Sequence, residues 1–150
     1  MNAVKPTIPI PTVDAAVVAH LNMVQNAINR FATQSASCKS WCLSVIGALL
    51  SFAAATKTPP LTALAVLPLV VFTMMDAFYL ACERAFRGLW SAKVARLRIG
   101  TYAAGDLFDL TAPVSVTDWL RAFVSISIWP AYLAMLLVCM LVLVYVLQPQ

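Results

Sequence analysis

The chain has one histidine, six acidic residues and four glycines in 150 positions. With His20 the lone histidine, a histidine-based metal cluster or a His-dependent catalytic triad has nothing to build with. There is no glycine-rich phosphate loop, and the few glycines do not suit a β-barrel built on tight turns. No segment sustains period-two alternation of apolar and polar residues. Charged residues are scarce too, at 11% against about 25% in a typical soluble domain. Apolar residues take their place: 62% of the chain is hydrophobic, and the mean hydropathy is +0.86. Helices crossing a bilayer are the remaining solution for a backbone in lipid. The expectation is an all-α membrane protein of one integral domain over residues 1–150, with no catalytic residues, no metal and no cofactor.

Cys38, Cys42, Cys82 and Cys139 do not form the framework of a disulfide-rich secreted domain. Cys38 and Cys42 share a helix face, as metal ligands do, but without a histidine or a second cysteine pair they read as structural thiols. The opening MNAVKPTIPIPT has neither the apolar core of a signal peptide nor the glycine needed for myristoylation, and the closing QPQ is not a prenylation box. A chain that inserts uncleaved through its own first span is expected.

Four helical segments follow from periodicity. Residues 13–37 read as an amphipathic helix with Thr12 as cap and Asp14 at its positive end. Val17, Leu21, Val24, Ile28 and Phe31 form the apolar stripe, and Asn22, Gln25, Asn26, Asn29, Arg30 and Gln34 the amide-rich face. So little lysine points to packing against partner helices rather than to charge-driven lipid binding. Spans are expected at 40–56, 61–82 and 122–147, with TKTPP as the turn between the first two and a kink at Pro68. The 61–82 helix continues outside the membrane into a basic extension, with Glu83 and Arg87 paired at i, i+4. Gly100 and Gly105 end that pattern. Segment 83–121 is thus a cytoplasmic basic helix and loop, with Asp106 and Asp109 solvated and Ser115 or Thr117 capping the last helix.

Lysine and arginine fall nine to one on the side that holds residues 1–39 and 83–121, against Lys57 alone on the other. Such a bias places the N-terminus in the cytoplasm and the C-terminus in the periplasm of a bacterial inner membrane. Lys39, Trp41, Glu83, Arg84 and Arg87 anchor the interface. The basic run from Arg84 to Arg98 therefore reads as topological, and nucleic acid is not an expected partner.

Asp76 is the one charge in the 61–82 run, about six residues or roughly 9 Å from its end. An ionisable group there should face protein or water. Antiparallel spans bring Ser44, Thr73, Tyr79, Ser125 and Ser127 near its depth. The layer is either a structural hydrogen-bond cluster or an element of an ion or proton pathway. Ser44, Gly47, Ala48 and Ser51 give the first span a face of small residues, suited to packing inside the chain or to self-association. Leu21, Val24 and Ile28 form a second candidate packing seam.

HLNMVQNAINRFATQSASCKSWCLSVIGALL followed by FYLACERAFRGLW resembles a group of small bacterial inner-membrane proteins of several spans. The shared positions are Asn29, Arg30, Lys39, Trp41, Asp76, Tyr79, Leu80, Glu83, Arg84 and Arg87, within residues 20–90. The layout is also similar to that of membrane effectors of antiphage defence, which implies membrane permeabilisation. The resulting expectation is a homo-oligomeric inner-membrane protein that forms or gates a pore. The alternative is a non-catalytic subunit that accessorises or anchors a larger membrane complex.

Overall fold

The computed structural model describes residues 14–148. Among them the secondary structure is helical, with no β-strand, and three helices are long and apolar enough to cross a membrane. The fold is an all-α membrane-type fold.

Helix α1, Ala15–Thr56, is 42 residues long, about 63 Å at 1.5 Å per residue. Asp14 caps it, its side chain accepting from the Ala16 N–H at 3.0 Å; Thr12 lies outside the described residues. From sequence, separate elements are expected at 13–37 and 40–56, and here the structure differs. No glycine or proline interrupts residues 14–46. The serines near the expected junction lie in the continuous helix with their hydroxyls turned back onto it, Ser40 Oγ donating to the Ala36 carbonyl at 3.3 Å and Ser44 Oγ to that of Ser40 at 3.0 Å.

α1 stops at Lys57, which takes the left-handed conformation at φ 53°, while the Thr58 N–H reaches back to the Ala53 carbonyl at 3.2 Å. Glycine is the usual residue at such a position. Lys57 holds it with its ammonium, 3.3 Å from the Tyr145 carbonyl and 3.6 Å from the centre of the Tyr145 ring. That carbonyl is one of those left unpaired at a helix C-terminus, where a cation is favoured.

The second span is divided into α2, Pro59–Leu64, and α3, Val66–Arg98. Pro68 accounts for the division: it cannot donate to the Leu64 carbonyl, and its ring would clash there in an unbroken helix. The Ala65 N–H instead reaches the Leu61 and Thr62 carbonyls, both at 3.2 Å. α3 runs on past Cys82 as expected and ends at Gly100, whose φ of 69° allows Thr101 N–H to bond to the Arg96 carbonyl at 2.9 Å.

The third span is shorter than expected. Pro130 cannot sit inside a helix begun at 122, because its ring would meet the carbonyl four residues back. Residues 116–123 form a separate helix, α4 (Val116–Phe123), and α5 begins at Trp129 with Pro130 in its first turn and ends at Leu147. Ser115 caps α4 reciprocally: its Oγ accepts from the Asp118 N–H at 3.2 Å, and Asp118 Oδ2 accepts from the Ser115 N–H at 3.1 Å.

The chain clusters into two compact units. The first combines residues 14–31 with Cys82–Val114, and the second combines Ala32–Ala81 with residues 115–148. In the first, Val17, Val24 and Ile28 are buried and Phe31 packs on Phe86 with ring centres 5.4 Å apart. The α1 stripe is therefore consumed within the chain. Leu21, expected in the same seam, is only half-buried.

In the second unit each long helix turns one stripe inward. Cys38, Cys42, Ile46, Leu50 and Ala53 come from α1, with Leu69, Thr73, Asp76, Ala77 and Leu80 from α3 and Tyr132, Met135, Cys139 and Val146 from α5. Outward, Trp41, Leu43, Phe52, Leu67, Leu137 and Leu141 are exposed. Water-soluble surfaces do not carry so much contiguous apolar area, whereas lipid is its natural solvent.

Candidate functional site

Asp76 is fully buried in the second unit. Helix α1 supplies two of its partners from positions one turn apart. Ser35 Oγ donates to Asp76 Oδ1, and Lys39 Nζ lies 2.6 Å from Oδ2. Lys39 also donates to Ser35 Oγ at 3.2 Å, which closes the triangle. This arrangement depends on the unbroken helix through 35–39, since i, i+4 spacing within one helix puts both side chains on one face. From α5, the Tyr132 hydroxyl donates to the Phe72 carbonyl at 3.2 Å and lies beside the Asp76 carboxylate.

Most of the expected hydroxyl layer does not meet this carboxylate. Ser44 is exposed and bonded within its own helix. Thr73 is buried but donates to the Leu69 carbonyl at 2.6 Å. Tyr79 is half-buried, with its ring against Phe78. Ser125 and Ser127 sit in the turn that Pro130 forces between α4 and α5, where the Ser127 N–H donates to Ser125 Oγ at 3.4 Å. Ser35 was the missing member. Its signal lay in its spacing from Lys39, hidden by the helix break expected just after it.

Other site residues divide by exposure. Ser44, Gly47, Ala48 and Ser51 are all exposed, and Gly47 also borders a cleft of ≈ 310 Å³ between α1 and α5, opposite Ala131, Ala134 and Met135. Trp41, expected as an interface anchor, is 65% exposed. Glu83 and Arg87 form the expected ion pair at 2.6 Å, and Arg84 is exposed on the same helix. The four cysteines are free and buried, and no group of three or more metal-ligating side chains occurs among the described residues.

No family model, curated protein or solved structure matches this chain.

The first unit contains a polar network that composition conceals. Lys93 is 3% exposed, yet each of its three ammonium hydrogens has an acceptor: Asp106 Oδ1 at 3.0 Å, the Asp106 carbonyl at 3.3 Å and Asp109 Oδ2 at 3.0 Å. Arg96 adds a contact to Asp106 Oδ1 at 2.5 Å, and the Ala103 N–H donates to Asp106 Oδ2 at 3.1 Å. Asp106 is buried rather than solvated as expected. Its desolvation alone would raise the carboxyl pKa; the Ala103 and Lys93 hydrogen bonds and the two cations outweigh it and hold the pKa below the ordinary range. Asp109 is pulled down to about 2, first by its hydrogen bond from Lys93 and then by those from Thr111.

His20 is buried completely beside this network. Its Nε2 lies 3.2 Å from the Asp109 carbonyl, which can only accept, so Nε2 carries a hydrogen. Nδ1 meets the Tyr102 hydroxyl at 2.6 Å. Burial, then the nearby Asp106 charge, raises the Tyr102 pKa. Phe108, at φ 61°, lies with its ring centre 6.4 Å from that of His20. The single histidine thus ties the 101–109 loop to α1.

Proposed function

We propose that this chain is a non-catalytic, homo-oligomeric protein of a bacterial inner membrane that forms or gates a pore. The small-residue face of α1 carries the reading. Ser44, Gly47, Ala48 and Ser51 are exposed together on a helix long and apolar enough to cross a membrane, beside the stripe of Cys38, Cys42, Ile46, Leu50 and Ala53 that the same helix turns inward. In lipid, where exclusion of water gives no drive, small residues let backbones approach until dispersion contacts accumulate. Three membrane-crossing helices filled by their own side chains enclose no lumen, so a pore needs several copies. The resemblance to membrane effectors of antiphage defence points to the same activity. The Lys39–Asp76 pair then fixes α1 against α3 within each subunit and brings one charge pair per copy to the assembly.

Native mass spectrometry of the purified chain, with conductance recorded in liposomes, tests this reading. A single defined homo-oligomer that conducts supports it. Gly47→Leu should dissociate that oligomer and abolish conductance while leaving the helix content unchanged. The competing reading, an anchoring subunit of a larger membrane complex, predicts a monomer that conducts nothing and purifies with an unrelated protein.

A further inference from the structure

From sequence, residues up to 121 belong outside the membrane. The structure sets helix α4 against an apolar part of α3. The Trp119 indole N–H donates to the Met74 carbonyl at 3.2 Å, and Trp119 lines a cleft of ≈ 320 Å³ with Met74, Met75, Phe78 and Tyr79. Four residues on, Phe123 lines a second cleft, of ≈ 160 Å³, with Leu69, Val70 and Thr73 of α3 and Trp129 of α5. The level of α4 on α3 is therefore residues 69–79, inside the apolar run that crosses the membrane.

The inner side of α4 is accounted for by Trp119, Ala122 and Phe123. The apolar residues on its other side and just past its end are uncovered among the described residues: Val116 is 71% exposed, Leu120 52% and Val124 69%, followed by Ile126 at 88%. Spacing of four puts Val116, Leu120 and Val124 on one face. The surroundings at this level are given by α3, whose Val70, Val71, Met74 and Met75 are also exposed. These belong to a membrane-crossing helix, so the medium around them is acyl chain, and α4 stands in the same medium.

We propose that α4 is a membrane-inserted helix, seated at the hydrocarbon boundary with Val116, Leu120, Val124 and Ile126 in contact with lipid acyl chains. The level of that boundary follows from three segment lengths. Lys39 to Lys57 on α1, Pro59 to Asp76 along α2 and α3, and Trp129 to Tyr145 on α5 each span about 24–27 Å at 1.5 Å per residue. Their ends coincide in contacts, Lys39 with Asp76 at one end and Lys57 with Tyr145 at the other. A hydrocarbon layer slightly thinner than the usual ~30 Å fits between them. The Lys39–Asp76 pair then lies at its edge rather than well inside it. Arg121, 81% exposed on its side chain, reaches the headgroups from there, but Asp118 lies 3.9 Å away on the same helix. The two charges cancel, so apolar area and not anionic lipid holds α4 down.

Ser91→Cys, Leu120→Cys and Val124→Cys, each labelled with an environment-sensitive fluorophore, test the proposal; Ser91 lies on α3 about 22 Å past Asp76 and serves as the aqueous control. All three positions are exposed and the four native thiols are buried, so folding and selective labelling are both preserved. In phosphatidylcholine vesicles the labels at 120 and 124 should be quenched by nitroxides on lipid chains, and several-fold less by aqueous iodide than the label at 91. Adding phosphatidylglycerol should leave that pattern unchanged. Equal iodide quenching at all three sites would put α4 in water and overturn the proposal. Protection of 120 and 124 from both quenchers would mean that protein, not lipid, covers the face, and a pattern seen only with phosphatidylglycerol would overturn its apolar basis.

Discussion

Lys39 and Asp76 form an ion pair of unequal burial. Their charged atoms are 2.6 Å apart, but the lysine side chain is 27% exposed and the aspartate 0%. Removing one partner of a buried pair is costly chiefly through the charge left behind. Lys39→Met strands a buried carboxylate with Ser35 as its remaining α1 partner, and should destabilise the second unit by on the order of 3 kcal/mol. Asp76→Asn leaves a lysine that can turn to the headgroups, and should cost clearly less. The double variant should recover much of the Lys39→Met loss. Unfolding in detergent, followed by helix content, measures all three, and equal losses for the two single variants would contradict the asymmetry. Conductance that persists in an assembled Asp76→Asn oligomer would further assign the pair to packing rather than to ion passage.

Ile28 is 5% exposed inside the first unit. Ile28→Asp should therefore unfold that unit instead of separating folded subunits, at a cost of about 3 kcal/mol or more, since a charge would enter a packed apolar stripe. Loss of protease resistance in segment 82–114 at unchanged subunit number is the expected result. Dissociation into protease-resistant monomers would return the stripe to the subunit interface.

Acid should loosen the 101–109 loop only far below neutrality. Asp106 and Asp109 have carboxyl pKa values lowered in the folded chain, so the folded state binds fewer protons than the unfolded one. Their stabilisation is complete above the unfolded value of about 3.9 and is lost as pH falls through the folded values, near 2 for Asp109. A spin label on Leu110→Cys should keep constant mobility from neutrality to about pH 4 and gain mobility below it. Gain of mobility already near pH 6 would point to a different group.

Thr62 is 2% exposed and its hydroxyl has no hydrogen-bond partner among the described residues. Thr62→Val keeps the shape and removes the orphaned group, so it should leave stability unchanged or raise it by about 1 kcal/mol. A loss of more than that in detergent unfolding would show that the hydroxyl has a partner in the membrane.

A three-span chain with nine of its ten basic residues on one side should be N-in and C-out. A reporter active only in the cytoplasm should work when fused before Met1 and fail after Gln150. Activity at Gln150 would mean that one span does not cross.

Helix content, the three apolar crossings, the ends at Lys57 and Gly100 and the Glu83–Arg87 pair were legible in the sequence, because each depends on residues within a few positions of one another. Proline chemistry was legible only in part. Pro68 announced a disturbance, but that Pro130 would start α5 and release α4 emerged only once the turn at 124–128 was visible. The partners of Asp76 and Lys93 are of another kind. Asp76 had several hydroxyls at matching depth, and only the rotation of α1 decided that Ser35 and Lys39, rather than Ser44, would face it. Lys93, Asp106 and Asp109 looked like a basic helix and a solvated loop. The loop folds back because a buried ammonium needs three acceptors, and no local pattern announces that requirement. Periodicity determines which residues lie on a common face, whereas which face meets which depends on helix rotation and register, set by the packing of all the helices together.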